Sequence, residues 1–279
     1  LTFNLAVLGN PVAHSLSPKI HHLFASEVGV DVHYEKFLVE AEDFDDIVVR
    51  FFDNGGKGLN VTLPHKSRAY EIAKSRSEEA RLAEAVNTLM LDANGEIRGE
   101  NTDGFGLLND IEVNLGWPVQ GQRVLMLGAG GAAQGVVRNL LQRNPAELVI
   151  ANRTLSRAEA IIERYDATNL SARSLDELLN QGSFDLIISA SSGGLSNEDP
   201  QAAESYLPAS LVGSDTRCYD MIYGKTTPLL TWAGSLGMDN RSDGLGMLVE
   251  QAAKSFHLWF DVQVSTGPVL RHLRDTLGA

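Results

Sequence analysis

The sequence predicts an α/β protein built as two lobes, and three observations carry that expectation. The chain has 279 residues, more than a single hydrophobic core comfortably serves, so two cores are expected. Two separate stretches alternate short apolar β-type runs with amphipathic helical segments, the pattern that lays helices against parallel sheets. Between those stretches GWPVQGQ (116–122) reads as a boundary. Composition is that of an ordinary globular protein, 43% hydrophobic and 21% charged, without internal repeats or low-complexity segments.

In the first lobe FNLAVLG (3–9) is a nearly continuous apolar run ending in Gly, as expected of a strand covered on both faces. SLSPKIHHLFASEVG follows as a helix, with Ser17 as N-cap, Pro18 at the first helical position, and Ile20, Leu23, Phe24 and Val28 on one face. VHYEKFLV (32–39) is a second strand. Phe44, Ile47, Val48, Phe51 and Phe52 then mark one helical face that Asn54-Gly55-Gly56 terminates. GLNVTL makes a third strand, and NTLML and EIRGE flank Asp92-Ala93-Asn94-Gly95 as a hairpin. A helical stretch over 103–115 leads to the boundary. The second lobe runs RVLMLG, helix, ELVIA, helix, a weaker strand, DELLNQ, DLIISAS and CYDMIY, which implies a doubly wound parallel sheet. Two final helices, GMLVEQAAKSFHLWF and GPVLRHLRDTL, have no strand between them and are expected to return to the first lobe. That lobe would then comprise 1–103 plus 245–279, the second 104–244, with a cleft between them.

The glycine-rich turn carries the first chemical signal. GAGGAAQG (128–135) follows a strand and opens a helix, so Gly128, Gly130 and Ala133 meet the G-x-G-x-x-G/A pattern in the setting it requires. Small residues across Gly128, Ala129, Gly130, Gly131 and Ala132 let the backbone approach a pyrophosphate, whose charge the free N–H groups of a helix start attract. The next strand ends ANRTLSR. An acid is expected there for a ribose 2′-hydroxyl; this chain has Arg153 and Arg157 instead, with Asn152 and Thr154 beside them. Planar guanidinium donors suit the 2′-phosphate of NADP. Arg157 is equally well read as a solvated charge at a helix start.

A formal net charge of −13 argues against a nucleic-acid partner. No run approaches the roughly 20 apolar residues that cross a bilayer, and the first fifteen residues lack a signal-peptide pattern, so no membrane association and a cytoplasmic location are expected. The single cysteine, Cys218, reads as a small buried hydrophobe in a strand. Adjacent His21 and His22 point in different helical directions, which speaks against a shared metal site.

An NADP lobe beside a small α/β lobe suggests hydride transfer, with the second partner and a proton-transfer group in the first lobe. In GNPVAHSLSP, Ser15 and Ser17 stand before a helix N-terminus, where hydroxyls and backbone N–H groups favour an anion such as a carboxylate; Ser17 can also simply cap. GNPVAHSLSP, GLNVTLPHK, AVNTL, GENTDGFG, GAGGAA, NRT, YDMIY and DGLGMLVEQAA, in that order over nearly the whole chain, resemble the shikimate dehydrogenase family. The resemblance implies an N-terminal α/β substrate domain completed by the C-terminal helices, a doubly wound Rossmann-type NADP domain, and NADP-dependent reversible reduction of 3-dehydroshikimate to shikimate. It further implies that Ser15 and Ser17 bind the substrate carboxylate with Tyr223 nearby, and that Asn60, Thr62, Asn87 and Gln251 contact ring hydroxyls. Met221 and Gly244 would contact the cofactor, and Lys66 and Asp103 would form the catalytic pair. SASSGG (189–194) departs from the family's usual NATSSG and puts some nicotinamide contacts in question.

The residue types suit the chemistry. Negative charge grows on a carbonyl oxygen as hydride arrives, and a cation or proton donor aimed at it stabilises the transition state above the ground state. Lys66 just past a strand end supplies that group and Asp103 can orient it. A surface lysine and an N-capping TDG are the plainer readings. Gln251 shares a helix face with Leu248 and so needs a polar partner, while His14 and His65 read as structural or supporting. A quinate/shikimate dehydrogenase and a non-catalytic NADP sensor are the rival functions, and monomer and homodimer are both compatible with the sequence.

Overall fold

The computed structural model describes residues 1–191 and 207–278. The chain forms two compact units: Leu1–Gly106 with Leu248–Ala279, and Leu107–Met247. The change of unit falls inside a helix at Gly106/Leu107 and inside another at Met247/Leu248, compared with the 103/104 and 244/245 expected. It does not fall at GWPVQGQ, because Val119 and Trp117 pack into the second unit's core with Leu107, Leu108 and Ile111.

The first unit contains β1 (Thr2–Gly9), α1 (Ser17–Val28), β2 (Asp31–Leu38), α2 (Phe44–Asp53), β3 (Gly58–Val61), α3 (Lys66–Ile72), β4 (Ser75–Arg76), α4 (Glu78–Ala83), β5 (Thr88–Leu91) and β6 (Ile97–Glu100). Its six-stranded sheet runs β2-β1-β3-β5-β6-β4. β1 pairs in parallel with β2 and β3, whereas β5 is antiparallel to both β3 and β6. Alternate residues of the strands face opposite sides: Ala6, Leu8, Leu59 and Val61 pack with Phe44, Val48 and Phe52 of α2. Leu5 and Val7 are buried too, as are Ile20 and Phe24 of α1.

The antiparallel hairpin decides where the polar groups meet. Asn60 of β3 lies opposite Thr88 at the start of β5, and Thr88 lies opposite Glu100 at the end of β6. Segments far apart in sequence, 60–66, 86–88 and 100–103, are thereby gathered at one end of the sheet. Two further helices, α10 (Leu245–Phe260) and α11 (Thr266–Leu277), follow the second unit's residues in the chain. The part of α10 in the first unit is seated by Trp259, whose indole N–H donates to Leu89 O at 3.2 Å. A Cβ on Gly58 would meet that indole at 2.3 Å, so only glycine permits the contact.

Ser17 is the first residue of α1 and not its N-cap, which is Leu16 without a side-chain hydrogen bond; Pro18 therefore stands one position deeper than expected. Burial of Ser17 releases its hydroxyl for tertiary contacts instead of capping.

The second unit contains the end of α5 (Asp103–Asn109), a π-helical turn at Asp110–Asn114, β7 (Arg123–Leu127), α6 (Gly131–Gln134), α7 (Val137–Leu141), β8 (Glu147–Ala151), α8 (Leu155–Ile162), β9 (Leu170–Arg173), β10 (Phe184–Ser189), β11 (Val212–Asp220), α9 (Pro228–Ser235) and β12 (Arg241–Ser242). All its strands are parallel, in the order β12-β11-β10-β7-β8-β9. Val124, Met126, Leu148 and Ile150 face one apolar layer, and Leu125, Leu127, Val149 and Ala151 face the other, so both faces are covered. The helix expected after the glycine turn is broken at Gly135–Val136 into α6 and α7, DELLNQ is a 3-10 turn, and β11 ends at Asp220 so that Met221–Tyr223 lie beyond the strand.

Cys218 is buried in β11, and burial pushes its thiol up to about 12. His22 is exposed with its ring nitrogen at Pro18 O, while His21 is fully buried, its ring stacked on Tyr34 at 4.8 Å. Burial lowers His21 from its ordinary 6.5 to about 3, an effect that Asn60 offsets only in part. The unfolded chain therefore binds this proton first as pH falls below 6.5, and stability is lost from there toward pH 3. Replacing His21 with Phe should remove that contribution: between about pH 7 and about pH 5, wild type should lose about 2 kcal/mol more unfolding free energy in urea than His21→Phe. A pH-independent difference between the two would show that the imidazole is hydrated in the folded protein.

Candidate active site

Lys66 opens α3, directly after the TLPH turn at the end of β3. Val86 N donates to Lys66 O at 2.9 Å, tying the lysine to the segment that enters β5. Its ammonium donates to Asp103 Oδ2 at 2.5 Å, with side-chain exposures of 17% for the lysine and 8% for the aspartate. Asp103 itself is not the cap of the helix that TDG opens. Asp103 lies within the first turn of α5, its own N–H is held by Asn101 Oδ1 at 3.1 Å, and its carboxylate is engaged with Lys66 and Asn87. A buried ion pair is weak evidence for stability, because desolvation of both charges offsets their attraction.

Asn87 organises that network. Its Nδ2 lies 2.8 Å from Asp103 Oδ1, 2.9 Å from Thr102 Oγ1 and 3.3 Å from Gln251 Oε1. Its Oδ1 accepts from Thr102 N at 2.9 Å and from Thr88 Oγ1 at 3.0 Å. Two amide protons cannot fully serve three acceptors, and Gln251 Oε1, the most distant, also lies 3.3 Å from Thr102 Oγ1. Gln251 Nε2 donates to Leu248 O at 2.9 Å, which supplies the polar partner its position on α10 requires.

Asn60 lies in the same cluster. Its Oδ1 accepts from Tyr34 Oη at 2.7 Å, while its Nδ2 makes longer bonds of 3.2–3.3 Å to Ser255 Oγ, Asn87 O and Thr88 Oγ1. Thr62 is held by its backbone N–H on Leu8 O at 2.9 Å. Ser15 Oγ donates to Ser17 Oγ at 3.2 Å, and Ser17 also neighbours the Tyr34 hydroxyl. His65 is structural, with Nε2 on Val39 O at 2.8 Å and its ring stacked on Phe44; His14 is exposed. Tyr34, Thr88, Thr102 and Ser255 do not stand out in the sequence. Nothing in their immediate neighbourhood singles them out, and only Tyr34 and Thr88, at buried positions of strands, offer a periodicity signal.

In the second unit one pocket is lined by Gly128, Ala129, Gly130, Ala151, Asn152, Arg153, Thr154, Arg157, Leu175, Ala190 and Ser191. The glycine turn after β7 and the arginines after β8 therefore share a wall. They do so at the C-terminal edge of the parallel sheet where the chain reverses its winding direction, the usual ligand position in such sheets. Gly128, at φ +106°, approaches the Ala190 carbonyl carbon so closely that a Cβ would sit 3.3 Å from it. Gly131 and Ala132 open α6 beside the pocket. A Cβ at Gly130 or Gly131 would meet nothing within 4 Å, so the turn's outer surface leaves room for a phosphate group. Asn152 Nδ2 donates to Thr154 O at 2.8 Å and fixes the turn that carries Arg153. Leu175 is the apolar wall the sequence does not indicate.

Met221, just past β11, and Gly244, just past β12, lie together: Met221 N donates to Ser189 O at 2.9 Å, Gly244 N donates to Ile222 O at 3.0 Å, and Tyr223 is the next residue after Ile222. Burial raises the Asp220 carboxyl above its ordinary value, and Asp220 Oδ1 accepts from Ile222 N to close this turn. Of SASSGG, residues 192 to 194 lie outside the described residues. Among the described residues no group of His, Cys, Asp and Glu could hold a metal, and no helix is long and apolar enough to cross a membrane.

A fully parallel sheet in dinucleotide-binding order, joined in one chain to an α/β unit that buries a lysine–carboxylate pair, defines a two-unit oxidoreductase of the Rossmann class. Family models match three stretches: the shikimate dehydrogenase substrate binding domain at 7–89, shikimate / quinate 5-dehydrogenase at 112–199, and the shikimate 5′-dehydrogenase C-terminal domain at 244–274. Shikimate dehydrogenase (NADP(+)) of Alkalilimnicola ehrlichii is 47% identical over 276 residues, covering 98% of this chain and 99% of that one. The enzyme of the same name from Cellvibrio japonicus is 46% identical over 274 residues, covering 98% and 97%. Among solved structures, an Ael1 enzyme from Pseudomonas putida matches with TM-score 0.89 at 42% identity, over 97% of this chain and 98% of that one. The shikimate 5-dehydrogenase of Thermus thermophilus, in complex with NADP(H) and shikimate, matches with TM-score 0.84 at 32% identity, over 98% and 99%. The chain belongs to the shikimate dehydrogenase family.

Asn87→Ala should strand Asp103 Oδ1 and Thr102 N together and lower the unfolding free energy by roughly 1–3 kcal/mol. Urea unfolding of the variant measures this; a loss near zero would mean that water replaces the amide at no cost.

Proposed function

We propose that this chain catalyses the NADP-dependent, reversible reduction of 3-dehydroshikimate to shikimate, as a cytoplasmic enzyme of aromatic amino-acid biosynthesis. The observation that carries the reading is the Lys66–Asp103 pair, bracketed by Asn87 and Gln251 in a unit whose sequence matches the family's substrate-binding model. NADPH, when bound, supplies the hydride. Gly128, Ala129, Gly130, Gly131 and Ala132 would hold its pyrophosphate, and Asn152, Arg153, Thr154 and Arg157 its 2′-phosphate. Met221 and Gly244 would flank its nicotinamide end. Arginine where an NAD site carries an acid is what supports NADP.

Each group in the first unit then has a task. Ser15 and Ser17 take the substrate carboxylate, and Asn60, Thr62, Asn87 and Gln251 take ring hydroxyls. Lys66 meets the carbonyl oxygen, where charge accumulates as the C–H bond forms, and delivers the proton that turns it into a hydroxyl. In the opposite direction the same nitrogen receives the proton. Asp103 holds the ammonium in place, and Asn87 fixes the carboxylate, so little reorganisation is needed as charge develops.

The activity is tested by following nicotinamide absorbance with shikimate or quinate and with NADP+ or NAD+. Shikimate with NADP+ should give by far the highest kcat/KM; comparable use of quinate with NAD+ would favour a quinate/shikimate dehydrogenase instead. Lys66→Ala should lower kcat by roughly 10²-fold or more with a smaller change in KM, and a near-normal kcat would mean that the proton takes another route. Arg153→Ala should raise the KM for NADP+ far more than that for NAD+, and equal effects on both would remove Arg153 from the cofactor site.

A further inference from the structure

Resting on the function proposed above, we propose that Tyr34 is a positioning residue for substrate: its hydroxyl fixes the amide of Asn60 as a donor toward the ligand and couples that amide to Ser17. Tyr34 lies on β2, the edge strand of its sheet, yet it is only 5% exposed. Its hydroxyl donates to Asn60 Oδ1 at 2.7 Å and also neighbours Ser17. These two partners belong to different parts of the proposed site, one to the carboxylate end and one to the ring-hydroxyl end. A single phenol thus joins them.

The bond lengths around Asn60 give the direction of the effect. The acceptor side is taken by the short bond from Tyr34, whereas the donor side makes only the 3.2–3.3 Å bonds to Ser255, Asn87 and Thr88. A ligand hydroxyl oxygen can draw Nδ2 away from those longer bonds at small cost, but cannot displace the short one. Without the phenol the amide could rotate and present its oxygen, and a ligand hydroxyl, able to donate as well as accept, would then have to turn its own O–H toward Asn60 to keep the bond. His21 supports the ring. It packs parallel to Tyr34 at 16° interplanar angle, backed by Phe256 at 6.0 Å and Trp259 at 5.2 Å, so the phenol has one available direction.

Tyr34→Phe keeps the ring and its stacking while deleting the hydroxyl. Loss of one buried hydrogen bond that leaves Asn60 Oδ1 unpaired should raise the shikimate KM roughly 3- to 30-fold. The KM for NADP+ and kcat should change less than about 2-fold, on the same scale of energies. In an Asn60→Ala background, or Asn60→Ser if the alanine variant does not fold, Tyr34→Phe should have no further effect on shikimate KM. An unchanged KM in Tyr34→Phe overturns the proposal. So does a parallel fall in kcat and rise in both KM values accompanied by a lower Tm, which would be a general packing defect, and so do additive effects in the double variant. If wild type itself does not oxidise shikimate with NADP+, the proposed function fails and this inference with it, whereas an active wild type with an unaffected Tyr34→Phe sinks the inference alone.

Discussion

The hydrogen bond between the Asn87 amide and Asp103 is the constraint on which the first unit's buried polar network depends. Lys66 alone is a long, rotamer-rich side chain, and fixing it costs entropy that an exposed carboxylate would not recover. A carboxylate already locked by an amide changes the balance. Asn87 is itself locked, since its oxygen receives the Thr102 N–H and its nitrogen reaches three acceptors at once. The antiparallel turn-back of β5 and β6 puts these groups where the parallel strand β3 ends, so sheet topology sets the positions of the lysine and of the carboxylate that holds it.

The two units solve different physical problems with related materials. In the second, an all-parallel sheet covered on both faces leaves polar backbone only at strand ends, and the glycine turn and the arginine-bearing turn emerge there side by side. Most of the polar groups that line this pocket stand on loops, where backbone N–H groups and guanidinium groups need no burial. In the first unit the buried and half-buried polar groups come from strands (Asn60, Thr88), from the segments flanking them (Asn87, Thr102) and from helices (Lys66, Asp103, Gln251, Ser255), and each must be satisfied by another.

Much of this is legible in the chain. The β-α alternation, the Gly128–Gly130 turn and the Asn152–Thr154 segment are local patterns, and local patterns survive without coordinates. What local reading misjudges follows from tertiary demands: Ser17 is buried as the first residue of α1 and not as its cap, Val119 and Trp117 belong to a core and not to a linker, and the helix after the glycine turn breaks at Gly135–Val136. The network partners Tyr34, Thr102 and Ser255 are invisible for a related reason. Their bonds span 26 residues from Tyr34 to Asn60, 15 from Thr102 to Asn87 and 195 from Ser255 to Asn60, and no periodicity links such distant positions. Lys66 and Asp103 are identified through family resemblance more than through spacing, since a lysine after a strand and an acid before a helix are commonplace.

The buried thiol of Cys218 has a practical corollary. Alkylation and disulfide exchange proceed through the thiolate, and a sulfhydryl held near 12 inside β11 offers almost none at neutral pH. Because it is the chain's sole cysteine, a fluorophore or spin label directed to a cysteine newly placed on either unit would attach there alone, leaving the native sulfur untouched and the sheet intact.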